Sequence, residues 1–339
     1  METIKVLVAL FVAVFLLPVV SWSGYPDPKL IEAAKKEGTI SYWTTMSLPQ
    51  SKQVVDAFHK KYPFIKTELY RTGGDAMLNK ILTEHRAGRH AWDVTVASGD
   101  KFSLFMKNKL VGLYRSPEAK NIVTDLVDKN GYWTGYYVNP YALGYNTQMV
   151  KKEDVPKTYE ELLDPKWKGG KISIDNTAYT FLFGLIMAWG EEKAVSYFKK
   201  LAAQEPVAMR GNTNRVQLVM AGEYPLIIAY APTIQRSTSK GAPIDWVPLE
   251  PVPVQVNAVL FSAYAPHPNA GKLFIDFMLS EQGQKQLVGF QRIPTRKGID
   301  PNPVRLFKGY KRIVEKPHEI NAKDFSRAVK LYQKILKLR

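Results

Sequence analysis

Three strand–turn–helix units follow one another from Thr39 to the helix that opens at Ser98, and this succession constrains the fold more than any other feature of the chain. Thr39 to Thr45 is rich in β-branched and aromatic residues, which predicts a first strand. It runs into Thr44-Thr45-Met46-Ser47, after which Val54, Val55, Phe58 and Tyr62 share one face of a helix ended by Pro63. Lys66 to Arg71 is a second strand, Thr72-Gly73-Gly74-Asp75 its turn, and Met77, Leu78, Ile81 and Leu82 line the next helix. Trp92 to Ala97 is a third strand, and Ser98-Gly99-Asp100 opens a further helix. Such alternation predicts an α/β fold with a parallel sheet and ligand groups at the carboxyl ends of its strands. Thr44, Thr45, Gly74 and Ser98 are therefore candidates. Hydroxyls and glycines at helix N-termini suit an anion, and they equally suit plain capping and turn formation.

The second half repeats the pattern. Lys171 to Asp175 is a strand, and Asn176-Thr177-Ala178-Tyr179-Thr180 opens an apolar helix. Val207 to Met209 precedes Arg210-Gly211-Asn212, and Tyr224 to Tyr230 runs into Ala231-Pro232-Thr233. Arg210 is able to clamp a carboxylate or phosphate through two hydrogen bonds, or to form a surface ion pair. Asn212 and Thr213 also suit capping. Between the two sets lies GYWTGYYVNPYALGYNT, Gly131 to Thr147, aromatic and free of charge. That composition suits strands crossing the floor of a cleft, with Tyr137 and Tyr141 as contacts, and it equally suits a buried core strand. A length of 339 residues agrees with two such units.

The formal net charge is +16, but Lys and Arg are spread without a long basic run. An anionic small molecule is favoured over nucleic acid as a partner. Leu7 to Val20 is apolar and followed by Ser21-Trp22-Ser23, which reads as an export signal cleaved near Ser23. The absence of cysteine excludes disulfides and thiolate chemistry. The five histidines form no metal-ligand spacing, and neither a nucleophile elbow nor a phosphate-binding loop is present. A binding protein without a resident cofactor is expected, and an enzyme is not.

PKTYEELLDPKWKGGKI, Pro156 to Ile172, resembles a segment of bacterial extracellular solute-binding proteins, in the branch that includes periplasmic ferric-iron-binding proteins. Trp92-Asp93-Val94, Ala142-Leu143-Gly144-Tyr145-Asn146, Ala221-Gly222-Glu223 and His267-Pro268-Asn269-Ala270 add to it in matching order. The resemblance implies a two-lobe periplasmic-binding-protein fold of type II, with the ligand cleft between lobes joined by crossing strands. The outward crossing is expected near Tyr136 to Tyr141 and the return near Pro248 to Val256. Residues 1–23 are then the signal peptide, 24–137 plus 255–310 the first lobe, 138–254 the second, and 311–339 a helical tail on the body.

The same resemblance makes Asn176, Thr177 and Ala178 a helix N-terminus offered to the ligand or its companion anion. It also makes the turn from Arg210 to Asn212 face the cleft. Tyr230 matches the place where iron-binding members carry two adjacent tyrosines, but here it stands in Ala229-Tyr230-Ala231. Thr44 and Thr45 stand where some of them carry a histidine. The implied role is the substrate-binding component of an ABC importer, a monomeric periplasmic protein that closes around a small anionic solute and docks on a membrane permease. The alternatives are a ferric-iron-binding protein using Tyr230 and a ligand-loaded sensor subunit for a membrane receptor.

Overall fold

A computed structural model describes residues 26–315 and 322–338. The export signal lies outside the described residues. In the first part of the chain α1 (Pro28–Glu37) leads to β1 (Thr39–Thr44), α2 (Leu48–Lys61), β2 (Lys66–Arg71), α3 (Gly74–Arg86), β3 (Val94–Ser98) and α4 (Gly99–Lys107). The long strand β4 (Trp133–Asn146) follows. Then come β5 (Ile172–Asp175), α5 (Tyr179–Trp189), α6 (Glu191–Ala203), β6 (Val207–Met209), α7 (Asn212–Met220), β7 (Leu226–Tyr230), α8 (Ala231–Thr238) and β8 (Ile244–Val247). β9 (Val252–Phe261), α9 (Pro268–Leu279), α10 (Glu281–Gly289), β10 (Ile293–Pro294), β11 (Arg312–Val314) and α11 (Ala322–Ile335) complete the order.

β1 lies between β2 and β3 and is parallel to both, with Tyr42 opposite Leu69 on one side and Val94 on the other. The strand–turn–helix alternation produces this directly, because each helix returns the chain to the same end of the sheet. β3 then pairs antiparallel with the returning β9, and β9 with β4. On one face Phe58 of α2 meets Phe274 edge-on at 4.8 Å and Phe277 at 5.5 Å. All three rings are buried.

β4 serves two sheets, and every one of its residues is buried. Trp133 to Pro140 pair with β9, whereas Tyr141 to Tyr145 pair with β7. Pro140 stands opposite Val254 and the next residue, Tyr141, opposite Tyr230. A proline carries no amide hydrogen, so little ladder bonding is lost where the strand changes partner. The strand path β2-β1-β3-β9-β4-β7-β5-β6 therefore passes from one lobe to the other within β4. Gly144 holds the second half close: a Cβ there would lie 2.7 Å from Ile227 and 2.8 Å from Ile234.

The return crossing is β9, which begins at Val252 and continues to Phe261, later than the proline-rich stretch suggested. The tail is not all helix. Arg312–Val314 pairs in parallel with Val252–Val254, an edge that β3 leaves open because its own pairing begins at Asn257. β11 covers those unpaired groups. α11 rests on α5 and α6 of the second lobe and also touches α4 of the first. Phe325 meets Phe183 edge-on, and Tyr332 is fully buried between Tyr179 and Phe198. The Tyr332 hydroxyl donates to the carbonyl of Asp175, and burial pushes its pKa well up. Among the described residues, no helix is long and apolar enough to cross a membrane.

Candidate functional site

Six strand-to-helix turns come from the two parallel sets: those that open α2, α3 and α4 in the first lobe and α5, α7 and α8 in the second. In all six, the residue at the N-cap gives no side-chain hydrogen bond to its helix. Among the other helices α6 is uncapped as well, whereas three starts have a side-chain acceptor. Asp27 caps α1, Ser280 caps α10, and the Glu37 carboxylate accepts from the Asn269 and Ala270 amides at the start of α9. Helix starts with positive dipole ends and no capping side chain are suited to a negative ligand.

The second lobe's wall is wired from beneath. Asp175 ends β5, and its Oδ1 accepts from the Thr177 amide at 2.9 Å and the Thr177 hydroxyl at 2.7 Å. Its Oδ2 accepts from the Gly211 amide at 3.1 Å. Arg215 of α7, 0% exposed, donates to the carbonyls of Ser173 and Ile228, to Asn212 and to Asp175. Burial lowers its pKa and Asp175 opposes that shift. One carboxylate thus fixes two adjacent turns, at 176–178 and 210–211.

A second network sits at the crossing. Register places Tyr141 opposite Tyr230, with ring centroids 4.7 Å apart. The Tyr141 hydroxyl is 2.7 Å from Thr180 Oγ1 and donates to the Tyr230 hydroxyl at 3.3 Å. Tyr230 donates to Gln255 Oε1 at 2.9 Å, and Gln255 Nε2 donates to Thr180 at 3.3 Å. The return strand is thereby joined to the outward strand and to the first turn of α5.

Across the cleft, Asp75 at the start of α3 pairs with Lys101 at 2.8 Å and with Arg210 of the opposite lobe at 3.3 Å. Gly73 makes room for that approach, since a Cβ there would stand 3.2 Å from Arg210 Nη2. The Arg210 side chain is 57% exposed, so the contact is worth about 0–1 kcal/mol.

The expected residues divide by what they touch. Thr45, Gly74 and Lys101 are close together, as a Cβ on Gly74 would be 3.8 Å from Thr45 and 3.6 Å from Lys101. Ser98 stands at the start of α4, with Asn257 opposite it on β9. Asn176 Oδ1 is buried without a partner among the described residues, an acceptor awaiting a donor. Ala178 is the N-cap of α5. Asn212 Oδ1 is occupied by the Tyr230 amide and by Arg215. Thr44 is fully buried and takes hydrogen bonds from the Tyr42 hydroxyl and the Met46 amide. Tyr137 is buried with Arg292 over its ring at 4.3 Å.

Sequence reasoning did not single out Lys101, Thr180, Gln255 or Arg292. Thr180 was legible as the second residue of a helix that opens at a strand end. Gln255 and Arg292 carry no local signal, because only the strand pairing brings them to the crossing.

A family model described as bacterial extracellular solute-binding protein matches residues 53–309. The chain is 29% identical over 240 residues to iron uptake protein A1 of Synechocystis sp., covering 65% of each chain. Among solved structures it is similar to iron-bound HitA from Pseudomonas aeruginosa, with a TM-score of 0.75 at 20% identity over 88% of this chain and 99% of that one. The periplasmic binding protein AfuA from Actinobacillus pleuropneumoniae, with fructose-6-phosphate bound, has a TM-score of 0.78 at 24% identity over 89% and 99%. At these identities the structural likeness is one of fold, the two-lobe type II arrangement of periplasmic binding proteins.

Proposed function

The chain belongs to the family of bacterial extracellular solute-binding proteins, and from that premise we infer that it is the periplasmic substrate-binding component of an ABC importer for a small anionic solute. The observation that carries the reading is the contrast in capping. All six helix starts at the strand ends lack a side-chain cap, while of the other starts α1, α9 and α10 have a side-chain acceptor and α6 has none. Two acids beside those turns already have partners: Asp75 has Lys101 and Arg210, and Asp175 has Arg215. Neither is open to a cationic solute. Arg210, Asn176, Thr45 and Ser98 are the proposed solute contacts from the two lobes. A solute that touches both lobes raises the closed population by its differential affinity. The closed protein would then dock on the membrane permease.

The experiment is a thermal-shift screen of the exported, metal-stripped protein with phosphate, sugar phosphates, phosphonates, carboxylates, polyamines and ferric citrate. Saturation at a hundred times Kd adds about 2.7 kcal/mol to stability. Stabilisation by an organic or phosphorylated anion is expected. Stabilisation by polyamines alone would overturn the reading.

One observation favours a ferric reading as the second choice: the phenol oxygens of Tyr141 and Tyr230 are 3.3 Å apart. Ferric iron prefers several hard anionic oxygens, and two groups hydrogen-bonded to these phenols, Thr180 and Gln255, are neutral. A thermal shift with ferric iron, with a tyrosinate charge-transfer colour lost in Tyr230→Phe, would put iron first.

A further inference from the structure

We propose that Gln255 is a specificity-determining residue: its side-chain amide closes a one-way ring of hydrogen bonds that keeps Tyr141 and Tyr230 as neutral phenols, so that the crossing suits an anion and refuses a ferric ion. This rests on the anionic-solute reading and names the residue that sets which charge the cleft takes.

Four side chains form the ring, and each bond in it has a direction. Gln255 Nε2 donates to Thr180 Oγ1 at 3.3 Å. An amide nitrogen only donates, so the Thr180 hydroxyl is left to donate onward to the Tyr141 oxygen, 2.7 Å away. Tyr141 donates to Tyr230 at 3.3 Å, and Tyr230 donates to Gln255 Oε1 at 2.9 Å. Each hydroxyl thus accepts once and donates once, and the amide supplies the one donor and the one acceptor that close the circle. Thr180 and Tyr141 are buried, whereas Tyr230 and Gln255 are partly buried. Thr180 lies in the first turn of α5, and Tyr230 is the N-cap residue of α8, so the ring stands beside two of the uncapped helix starts.

The ring has the oxygen spacing of a hard-cation site without its charge. A small hard cation bound octahedrally at about 2.0–2.1 Å holds neighbouring oxygens about 2.9 Å apart. The separations from Tyr230 to Gln255 and from Tyr141 to Tyr230 are 2.9 and 3.3 Å. To ligate a ferric ion, both phenols would release their protons to water. Each proton released removes a donor from the ring, and the amide oxygen brings no negative charge in return. A carboxylate at position 255 would bring one within hydrogen-bond reach of Tyr230. It would also repel an anionic solute held at the starts of α5 and α8. Glutamine and glutamate share one shape, so what this position decides is charge and not size.

The test uses the whole exported protein, stripped of metal, with ferric citrate followed by visible absorbance and with inorganic phosphate and fructose 6-phosphate followed by calorimetry. Wild type is expected to show no tyrosinate charge-transfer band with ferric citrate and to bind at least one phosphorylated probe. Gln255→Glu is expected to gain the band and to bind that probe about tenfold more weakly. The band should vanish again when Gln255→Glu is combined with Tyr230→Phe. Gln255→Met, which keeps length and neutrality, should show no band and retain most of the anion affinity. Gln255→Asp brings the same charge on a shorter stem and repeats the test where Gln255→Glu folds poorly. A band in wild type, or its absence from the folded carboxylate variants, would overturn the proposal. So would an equal loss of anion affinity in Gln255→Met and Gln255→Glu, which would make Gln255 a structural brace. The ferric arm decides the role of Gln255 by itself, and failure of both phosphorylated probes to bind wild type would instead overturn the anionic reading.

Discussion

The molecule buries positive charge in two places and treats it in opposite ways. At the ends of β5 and β7, Arg215 is fully enclosed and meets four acceptors, including a carboxylate. Arg292, buried beside Tyr137 and Gln50, and Arg236, partly buried on α8, have no carboxylate partner among the described residues. The first arrangement draws its acceptors from the chain itself, with only the Arg215 Nε left without one among the described residues, so it belongs to the architecture and sets the turns at 176–178 and 210–211. The second has only neutral partners, the Thr233 hydroxyl for Arg236 and Gln50 with the Tyr137 ring for Arg292. The two differ in whether the chain sets a counter-charge beside the guanidinium.

The hardest blow to the comparison falls on the complete site. Asp175→Ala would leave Arg215 uncompensated and release the Thr177 and Gly211 amides, and a loss of about 3–5 kcal/mol is expected in urea unfolding. A loss below about 1 kcal/mol would mean that Arg215 is served well enough by carbonyls, and the contrast would weaken.

Arg236, without a carboxylate partner, predicts an effect of intermediate size with a definite pH sign. Folding lowers the pKa of Arg236 to about 10, so the folded state disfavours its proton. Above that value the unfolded chain binds more protons than the folded one, and stability contributed by this group rises with pH. Any advantage of Arg236→Met over wild type should therefore be full at neutral pH and fade as pH climbs past about 10. Taking the difference between the two proteins' melting points cancels the loss expected from buried tyrosines such as Tyr62, whose pKa is pushed up to about 12. An advantage that grows with alkalinity would reverse the assignment.

The smallest effect belongs to the exposed charge. Arg210→Ala removes a cross-lobe ion pair with Asp75 and should cost about 0–1 kcal/mol of stability. Its effect should appear instead in solute affinity and in a more open scattering profile of the free protein. Unchanged affinity would take Arg210 out of the site and leave lobe 2 represented by its turns.

Much of the frame was legible because it is periodic. The alternation after Thr39 placed the turns at Thr45, Gly74 and Ser98, and the charge-free run ending at Thr147 contained the shared strand β4. The site's wiring was less legible. Asp175 and Arg215 are 40 residues apart, and Gln50 and Arg292 are 242 apart. Such pairs follow from strand order and leave no spacing to read. Tyr141 and Tyr230 were each visible as cleft tyrosines, but their hydroxyl contact depends on a register that neither local sequence specifies.

The tail changes the mechanics of the crossing. The family match ends at residue 309, and β11 and α11 lie beyond it. β11 is laid against β9 beside the crossing, and α11 is seated on α5 and α6. The return crossing is thus flanked by β11 at its start and by β4 along its length. Two adjacent ties form an axle about which a lobe can both swing and roll. β11 widens the return tie by one strand, and a wider tie resists the roll more than the swing, so that the turns of the two lobes meet in the same alignment at every closure.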